Sequence, residues 1–404
     1  MNSVCKYVIL GAGPAGLAVA NSLLQRGERD FLVLEKEAVP GGLCRSQDVD
    51  GAPLDIGGGH FLDVRRPKVN EFLFQFMPQS EWDRYVRDSR IAVADQLVHH
   101  PIEANIWEMD IDRQVAYLKS IASAGCNVGK KAPRRFVDWI TWKLGDQIAN
   151  DYMLPYNRKM FGNQLNRLGT YWLEKLPNVN FEETLRSCLE HKAYGQQPGH
   201  AKFFYPKCYG YGELFRRMGE ALGERLRCNC QVAELDFAQR QVKTASGEVF
   251  AADKIISTMP WRAFKGLTGM PENLRRGIRK LRHTSVQIEY VPENLATPAQ
   301  WIYYPDMKLS YHRILVRHNF CPGSRGYWTE TNGSRVEQAG QAGNFKYLNE
   351  YAYPLNTIGK NEFMAELLEW AAAQGVFGLG RWGEHQHYNS DVTVERALAL
   401  AAKL

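Results

Sequence analysis

The amino-acid sequence predicts an α/β protein in which a parallel-sheet domain is assembled from separate chain segments, around an inserted helical domain and an antiparallel-sheet domain. Three observations support this class. A βαβ pattern opens the chain over 6–35, helical spacing of apolar residues dominates from about 66 to 170, and short alternating or aromatic-rich runs fill 263–371. Because single cores stop growing near ~250–300 residues, a chain of 404 residues should form several domains.

The first element is a βαβ unit with glycines at a G-x-G-x-x-G spacing. An apolar run leads to Gly11, Gly13 and Gly16, a helical run follows, and a second strand ends at Glu35. Such glycines permit a tight turn, close approach of a pyrophosphate to the helix N-terminus, and close packing of helix on strand. The unit therefore predicts a dinucleotide site with Glu35 on a ribose hydroxyl. A glycine-rich turn without a ligand is the alternative interpretation.

Two further groups of glycines stand at 41–42 and 57–59, each close behind a predicted strand. Because glycine has no Cβ, we expect the backbone at both places to pass against a flat cofactor that extends beyond its pyrophosphate. The pattern resembles flavoproteins of the amine-oxidase and desaturase type, which favours FAD over NAD. His60 follows the second group, and it either faces the flavin or is a structural histidine.

The chain then leaves this Rossmann-like domain and returns to it twice. An aromatic- and amide-rich stretch at 152–162 lies within the helical part, where its rings either pack in the core or form a wall for a nucleobase. The predicted domains are a discontinuous FAD-binding domain of 1–65 plus 200–262 plus 372–404, a helical domain of 66–170, and an antiparallel-sheet substrate domain of 171–199 plus 263–371.

The last segment predicts a second contact with the flavin. A strand ends at Gly380 and Arg381, a polar loop follows, and Ser390 or Asp391 can cap the final helix. Reduced flavin is anionic on its pyrimidine side, and a helix N-terminus stabilises an anion there.

The bulk composition narrows the possible partners. A net charge of +6 is compatible with an anionic small molecule and does not require nucleic acid. The eight cysteines are scattered without the paired spacing of a zinc site, so we expect reduced thiols, no metal and a cytoplasmic protein. Neither a signal peptide nor a run of about 18 apolar residues occurs, so no contact with a membrane is expected. A homodimer is possible.

Motifs over nearly the whole chain resemble the UDP-galactopyranose mutase family, in the family's order. They lie at 11–16, 57–60, 100–106, 155–162, 174–177, 303, 311–313, 353–354 and 380–393. The resemblance implies an FAD that is active when reduced, whose N5 attacks the anomeric carbon of a UDP-sugar and displaces UDP. The flavin–sugar adduct opens and recloses the ring, so that pyranose and furanose forms interconvert without net oxidation. A role in polysaccharide biosynthesis is implied in the same way.

The resemblance also assigns the diphosphate ligands. Arg313 matches a family arginine, and an arginine fork suits a departing diphosphate because it reaches two oxygens at once. Lys175 stands where the family has its other arginine, and a lysine is only a point charge. Tyr303 and Tyr353 match tyrosines that hydrogen-bond the diphosphate. The alternative for each residue is an exposed charge or a sheet aromatic.

The uridine and sugar pockets depart from the family pattern. Tyr156, Asn157 and Phe161 match the uridine pocket, although the family usually has tryptophan at the position of Phe161. His387 replaces a tyrosine near the sugar, and Asn389 replaces an acid of bacterial members. His387 either donates to a phosphate as a cation or marks a different nucleotide sugar.

The predicted site is therefore large. The predicted flavin-binding residues are Gly11, Gly13, Ala15, Gly16, Glu35, Lys36, Gly42, Leu43, Gly58, Gly59, His60, Val232, Arg381, Asp391, Val392 and Thr393. The predicted catalytic residues are Arg313, Lys175, His60, Tyr303, Tyr353, His387 and Asn389. The alternatives to a mutase are an FAD-dependent oxidoreductase of the amine-oxidase or desaturase type and a catalytically silent nucleotide-sugar- or flavin-binding homologue.

Overall fold

A computed structural model describes residues 4–93, 95–125, 127, 129–173, 180–194, 201–336 and 344–404. Its strands are β1 (Val4–Leu10), β2 (Phe31–Leu34), β3 (Ser46–Val49), β4 (Ala52–Asp55), β5 (Leu62–Asp63), β6 (Trp82–Val86), β7 (Ser89–Val93), β8 (Gln96–His99), β9 (Lys202–Pro206), β10 (Leu226–Arg227), β11 (Val232–Asp236), β12 (Gln241–Thr244), β13 (Val249–Ser257), β14 (Gly266–Thr268), β15 (His283–Val291), β16 (Trp301–Tyr303), β17 (Arg313–Leu315), β18 (Tyr327–Asn332), β19 (Lys346–Pro354) and β20 (Val376–Gly378). Its α-helices are α1 (Pro14–Gln25), α2 (Pro67–Phe74), α3 (Ile102–Asn105), α4 (Ile111–Gly125), α5 (Phe136–Ile148), α6 (Leu154–Phe161), α7 (Phe181–Glu190), α8 (Gly212–Glu220), α9 (Glu272–Lys280), α10 (Lys360–Ala373), α11 (Gly380–Gly383) and α12 (Ser390–Ala401).

The first sheet joins three separate parts of the chain. Its strand order is β10-β2-β1-β13-β12-β11-β14, and β20 pairs with β13. The pairs of β1 with β2, β1 with β13 and β13 with β20 are parallel, so their carboxyl ends lie at one edge. The predicted discontinuous Rossmann-like arrangement is therefore present, because strands from the two ends and the middle of the chain form one sheet.

Helix α1 is formed by the residues after the glycine turn. Its first residue is Pro14, whose fixed φ suits the first turn of a helix and whose missing N–H would be unpaired there anyway. Residues 15–21 are all buried, because α1 lies between the sheet and α12. The N-terminus of α1 is thereby fixed at the carboxyl end of β1.

The second sheet is mostly antiparallel and has the order β19-β15-β18-β17-β16-β7-β8. Burial alternates along β15, as expected for a strand with one face on the core. The pair of β16 with β7 is parallel. This sheet matches the predicted substrate sheet and extends it with two strands from the first half of the chain.

The segment predicted as helical contains strands as well. Residues 66–170 supply β6, β7 and β8 besides five helices. In β7, Ile91 and Val93 are buried and alternate with less buried neighbours. This alternation, with a period of two, is typical of a strand and is short compared with the helical spacing of the surrounding residues. The helical core of this region packs Phe136, Ile140 and Ile148 of α5 against α3 and α4. No helix among the described residues is long and apolar enough to cross a membrane.

Candidate active site

A cavity of about 580 Å³ extends from the glycine turn after β1 to the first turn of α12. Both sheets contribute to its wall, and so do the loops after β13 and β20. The predicted flavin residues that line it are Gly11, Gly13, Ala15, Glu35, Lys36, Gly42, Leu43, His60, Val232, Arg381 and Thr393. The predicted flavin residues that do not line it are Gly16, Gly58, Gly59, Asp391 and Val392.

The glycine turn has the geometry that the spacing predicts. Gly11 has a φ of +97°, which residues with a side chain rarely adopt, and a Cβ there would lie 2.5 Å from Thr258 Oγ1. A Cβ on Gly16 would lie 1.9 Å from the carbonyl oxygen of Gly11. A Cβ on Gly42 would lie 3.1 Å from Gly13 Cα, so two glycine turns meet at the N-terminus of α1. Gly11 and Gly13 have no side chains and both line the cavity, so their backbone is accessible to a diphosphate.

Glu35 lies at the carboxyl end of β2 and is buried. Its carboxylate accepts hydrogen bonds from the backbone N–H of Ala12 at 2.6 Å and of Glu37 at 3.0 Å. The first of these hydrogen bonds holds the glycine turn in place. The carboxylate also lines the cavity, where we predict the ribose. Contact with a ribose hydroxyl stays a prediction.

The glycines at 57–59 are required by close contacts within the protein, and the contact of Gly58 and Gly59 with a flavin stays a prediction. A Cβ on Gly57 would lie 1.7 Å from the carbonyl oxygen of Leu43, and one on Gly59 would lie 2.0 Å from a methyl carbon of Leu315. Gly58 has a φ of +95° and faces Glu330. These glycines therefore allow the turn to pack tightly, which brings His60 to the cavity wall with its Nδ1 2.8 Å from the carbonyl oxygen of Gly58.

The far end of the cavity holds a guanidinium. Arg381 donates to the carbonyl oxygen of Tyr388 at 2.7 Å and 3.0 Å and to that of Ala352 at 3.3 Å. Burial lowers the pKa of Arg381, because a charged group is less stable away from water. A positive charge held only by neutral oxygens in these contacts suits an anionic ligand.

The start of α12 differs from the prediction by one residue. Asn389 occupies the N-cap position, without a capping hydrogen bond from its side chain, so the expected cap by Ser390 or Asp391 is wrong. Asp391 instead lies in the first turn and accepts a hydrogen bond from Arg66 Nε at 2.7 Å. Its Oδ1 is buried without a hydrogen-bond partner among the described residues.

A second group of predicted residues is brought together by strand register. Tyr303 of β16 pairs with Arg313 of β17, and Arg313 pairs with Glu330 of β18, so the three side chains form one row across the sheet. Arg313 Nε lies 3.1 Å from Glu330 Oε2, and Nη2 binds the same oxygen. Burial is the largest single effect and lowers the pKa of Arg313. Glu330 and the neighbouring Tyr353, Tyr156 and Tyr303 together outweigh it, so that the pKa is raised well above its ordinary value.

Aromatic residues from three elements extend this row. Tyr156 of α6 meets Tyr303 edge to face, with ring centroids 5.3 Å apart. Tyr353 of β19 lies 4.8 Å from the ring of His387. Burial raises the pKa of Tyr353, and the charge of Glu330 raises it further, while Arg313 and Arg381 oppose that shift. The row therefore connects the predicted diphosphate ligands with the loop after Arg381.

The rest of the predicted uridine pocket is more deeply buried. Asn157 donates from Nδ2 to the carbonyl oxygen of Met153 at 2.7 Å within its own helix. Phe161 is only 6% exposed and packs against Trp172, so Trp172 is an additional aromatic for this region. Lys175 lies outside the described residues.

No sequence motif contains Arg87, which lies just before β7. Its Nη2 donates to Tyr303 Oη at 3.1 Å and lies 3.4 Å from His100 Nδ1, and its Nε donates to Ser89 Oγ at 2.8 Å. The guanidinium carbon lies 4.8 Å from the centre of the Trp301 ring. These contacts depend on the pairing of β7 with β16, so only the tertiary structure reveals them. The same holds for Glu330.

Comparison with known proteins agrees with this architecture. The model of the family described as flavin containing amine oxidoreductase matches residues 14–291. UDP-galactopyranose mutase of Mycoplasma pneumoniae is 22% identical, over 98% of this chain and 96% of its own. Hydroxyneurosporene desaturase of Rubrivivax gelatinosus is 25% identical over 66% of this chain, which covers 55% of the desaturase.

Solved structures share the fold. The crystal structure of reduced UDP-galactopyranose mutase superposes with a TM-score of 0.90 at 23% identity, over 99% of this chain and 93% of the other. The putative protoporphyrinogen oxidase of Exiguobacterium sp. 255-15 follows with a TM-score of 0.67 at 14% identity, over 100% of both chains. The resemblance and the fold class predicted from the motifs are thereby confirmed.

Proposed function

Since this chain belongs to the family of flavin-containing amine oxidoreductases, we propose that it binds FAD and interconverts the pyranose and furanose forms of a UDP-sugar or a related nucleotide-diphosphate sugar. The observation that carries the proposal is the row of Tyr303, Arg313 and Glu330. The ring of Tyr156 meets Tyr303, and Tyr353 lies within electrostatic reach of both Arg313 and Arg381. A site for an apolar or amine substrate has no need of such a concentration of guanidinium and phenol groups. A leaving diphosphate needs them, because its growing negative charge has to be stabilised.

The 580 Å³ cavity fits FAD in chemistry as well as in extent. The diphosphate of the cofactor would lie on Gly11, Gly13 and Ala15, and Glu35 would hold its adenosine ribose. The flavin would lie towards His60 and Arg381. When bound and reduced, FAD would supply a nucleophilic nitrogen for displacement at the anomeric carbon.

Arg313 would hold the diphosphate as it leaves. Its Nε and Nη2 are the atoms that bind Glu330, so Nη1 is left for a phosphate oxygen. Because Glu330 is buried and also lies 3.3 Å from the N–H of Gly59, the guanidinium is held in one orientation before the substrate binds. A charge that is already oriented needs no rearrangement when the leaving group becomes anionic.

Tyr303 would donate a hydrogen bond to the same group. Its oxygen accepts from Arg87 at 3.1 Å and from the indole N–H of Trp301 at 3.0 Å. Because a phenol has one hydrogen to donate, that hydrogen is directed away from both donors. Tyr353 and His387 would meet the substrate at the side nearer to Arg381.

The alternative is an oxidoreductase that takes hydride from its substrate. The family and the similarity to a desaturase favour it. Such an enzyme would consume oxygen or another acceptor in proportion to product, whereas the mutase would consume none. Cytoplasmic location, a homodimer and a role in polysaccharide biosynthesis stay predictions.

Turnover tests the proposal directly. The FAD-loaded protein is incubated with a panel of nucleotide hexopyranoses with and without dithionite, and the products are separated by chromatography. We expect a new isomer of unchanged mass only in the reduced samples. Failure to convert any nucleotide sugar would contradict the proposal, and oxygen consumption with an amine or polyene substrate would select the alternative.

A further inference from the structure

The first turn of α12 brings a negative charge close to the cavity. Ser390 and Thr393 line the cavity, and Asp391 follows Ser390 with only 2% of its side chain exposed. The flavin that we place at this turn is anionic when reduced. Because like charges repel more strongly away from water, an uncompensated Asp391 would oppose the reduced cofactor.

Arg66 contacts this carboxylate from the start of α2. Its Nε donates to Asp391 Oδ2 at 2.7 Å, and its Nη1 donates to Glu395 Oε2 at 2.6 Å. The two carboxylates are four residues apart on α12, a spacing at which like charges in a helix repel each other. One guanidinium therefore compensates both of them.

Other charged groups near this turn have partners of their own. Arg65 donates to Asp63 at 2.6 Å, although its charge also reaches Asp391. Arg396 of α12 donates to Glu384. Oδ1 of Asp391 is buried without a hydrogen-bond partner among the described residues. The hydrogen bond that Oδ2 accepts is thus the direct compensation of this carboxylate.

We propose that Arg66 is a positioning residue for the reduced cofactor, which offsets the charge of Asp391 and thereby keeps the first turn of α12 favourable to an anionic flavin. This inference rests on the FAD-binding part of the proposed function and does not depend on the reaction of the sugar. It adds a residue that none of the sequence motifs contains.

The reduction equilibrium of the bound flavin tests this role. FAD-loaded wild type and Arg66→Gln are reduced in the presence of a dye of known potential, and absorbance gives the ratio of reduced to oxidised flavin. At a fixed potential this ratio should be at least about threefold lower in Arg66→Gln, because Asp391 then lacks its cation. The absorbance of the reduced flavin should also shift towards that of the neutral, protonated form.

Two variants control for the loss of contacts and of charge in general. Arg66→Lys keeps the charge, so its ratio should stay within about twofold of the wild type. Arg26→Gln removes the same charge at the opposite end of α12, where Arg26 binds the carbonyl oxygen of Ala401. Its ratio should equal that of the wild type.

A second pair of variants decides if Arg66→Gln does not fold with FAD. Asp391→Asn removes the negative charge itself and should raise the ratio of reduced to oxidised flavin. The double variant Asp391→Asn with Arg66→Gln removes both charges, so its ratio should lie near that of the wild type.

The contrary outcomes are distinct from one another. An unchanged ratio in FAD-loaded Arg66→Gln would overturn the inference and leave the proposed function intact. An equal fall in Arg66→Gln and Arg66→Lys would show that Arg66 only supports the fold, which also overturns the inference. A wild type that binds no FAD would overturn the inference and the proposed function together.

Discussion

Glu330 is as important to the proposed chemistry as the arginine that it binds. A carboxylate with only 1% of its side chain exposed is stable because Arg313 neutralises it. The same contact fixes the guanidinium, so a single ion pair contributes both to the free energy of folding and to the orientation of the site. Substituting either partner alone therefore changes two properties at once.

Arg313→Ala should lose turnover and stability together. It leaves Glu330 buried without its cation, which costs about 3–5 kcal/mol in the free energy of unfolding. The double variant Arg313→Ala with Glu330→Gln removes the uncompensated charge and should recover much of that loss, while turnover stays absent and FAD stays bound. Urea unfolding, flavin absorbance and turnover of the three proteins measure this. Activity in the double variant would show that the diphosphate lies elsewhere.

At the scale of elements, the N-terminus of α1 is tightly constrained. A Cβ on Gly16 would lie 1.9 Å from the carbonyl oxygen of Gly11, so the turn and the helix are in close backbone contact. Backbone atoms cannot swing aside as a flexible side chain can. The position of the helix N–H groups therefore depends on the absence of one methyl group.

Gly16→Ala should shift α1 away from the turn. Overpacking of this kind costs about 1–3 kcal/mol of stability, and we expect FAD affinity to fall at least tenfold because the diphosphate site is displaced. Gly125→Ala, at the end of α4, is the matched control, since no described atom lies within 4 Å of its added Cβ. Fluorescence titration of the apoproteins with FAD gives the affinities. Equal FAD affinity in Gly16→Ala and the wild type would contradict this account of the turn.

Local patterns predicted the elements around FAD well. The glycine spacing identified Gly11, Gly13 and Gly16 together with the strand that ends at Glu35, because each residue has a conformational reason that operates within the unit. The strands β6–β8 were missed. They lie among helices, and β6 and β7 pair with β9 and β16, which come more than a hundred residues later in the chain, while β8 only extends the sheet from β7.

Long separation along the sequence also explains which site residues were not predicted. Arg313 and Tyr303 belong to motifs near each other in sequence, and antiparallel pairing then sets their contact. Arg87 reaches Tyr303 across 216 positions of sequence, so no local pattern contains it. The glycines at 57–59 were recognised, but the close contacts with Leu43 and Leu315 that require them were not, because these contacts form only in the folded structure.

For the whole molecule, the main question is what holds the second sheet against the N-terminal part of the chain that contains the glycine turns. Arg317, which follows β17, is completely buried. Its guanidinium donates to the carbonyl oxygens of Val49 and Ala52 at 2.9 Å and 3.1 Å, and its Nη2 donates to Tyr290 Oη at 3.0 Å. The turn between β3 and β4, a few residues after Gly41 and Gly42, is thereby joined to the second sheet.

Arg317→Met should loosen this junction without touching the proposed ligands. The carbonyl oxygens of Val49 and Ala52 would lose a charged donor inside the protein, and at about 1–3 kcal/mol for each unsatisfied group the loss should reach several kcal/mol. Arg325→Met is the matched control, because Arg325 forms an exposed ion pair with Asp50 in the same region and exposed pairs contribute little. Urea unfolding of both FAD-loaded variants, followed by flavin fluorescence and by circular dichroism, distinguishes two results. Release of FAD at a lower urea concentration than the loss of secondary structure would indicate that the junction stabilises the cavity predicted for the cofactor. An unchanged unfolding transition in Arg317→Met would show that other contacts hold the second sheet in place.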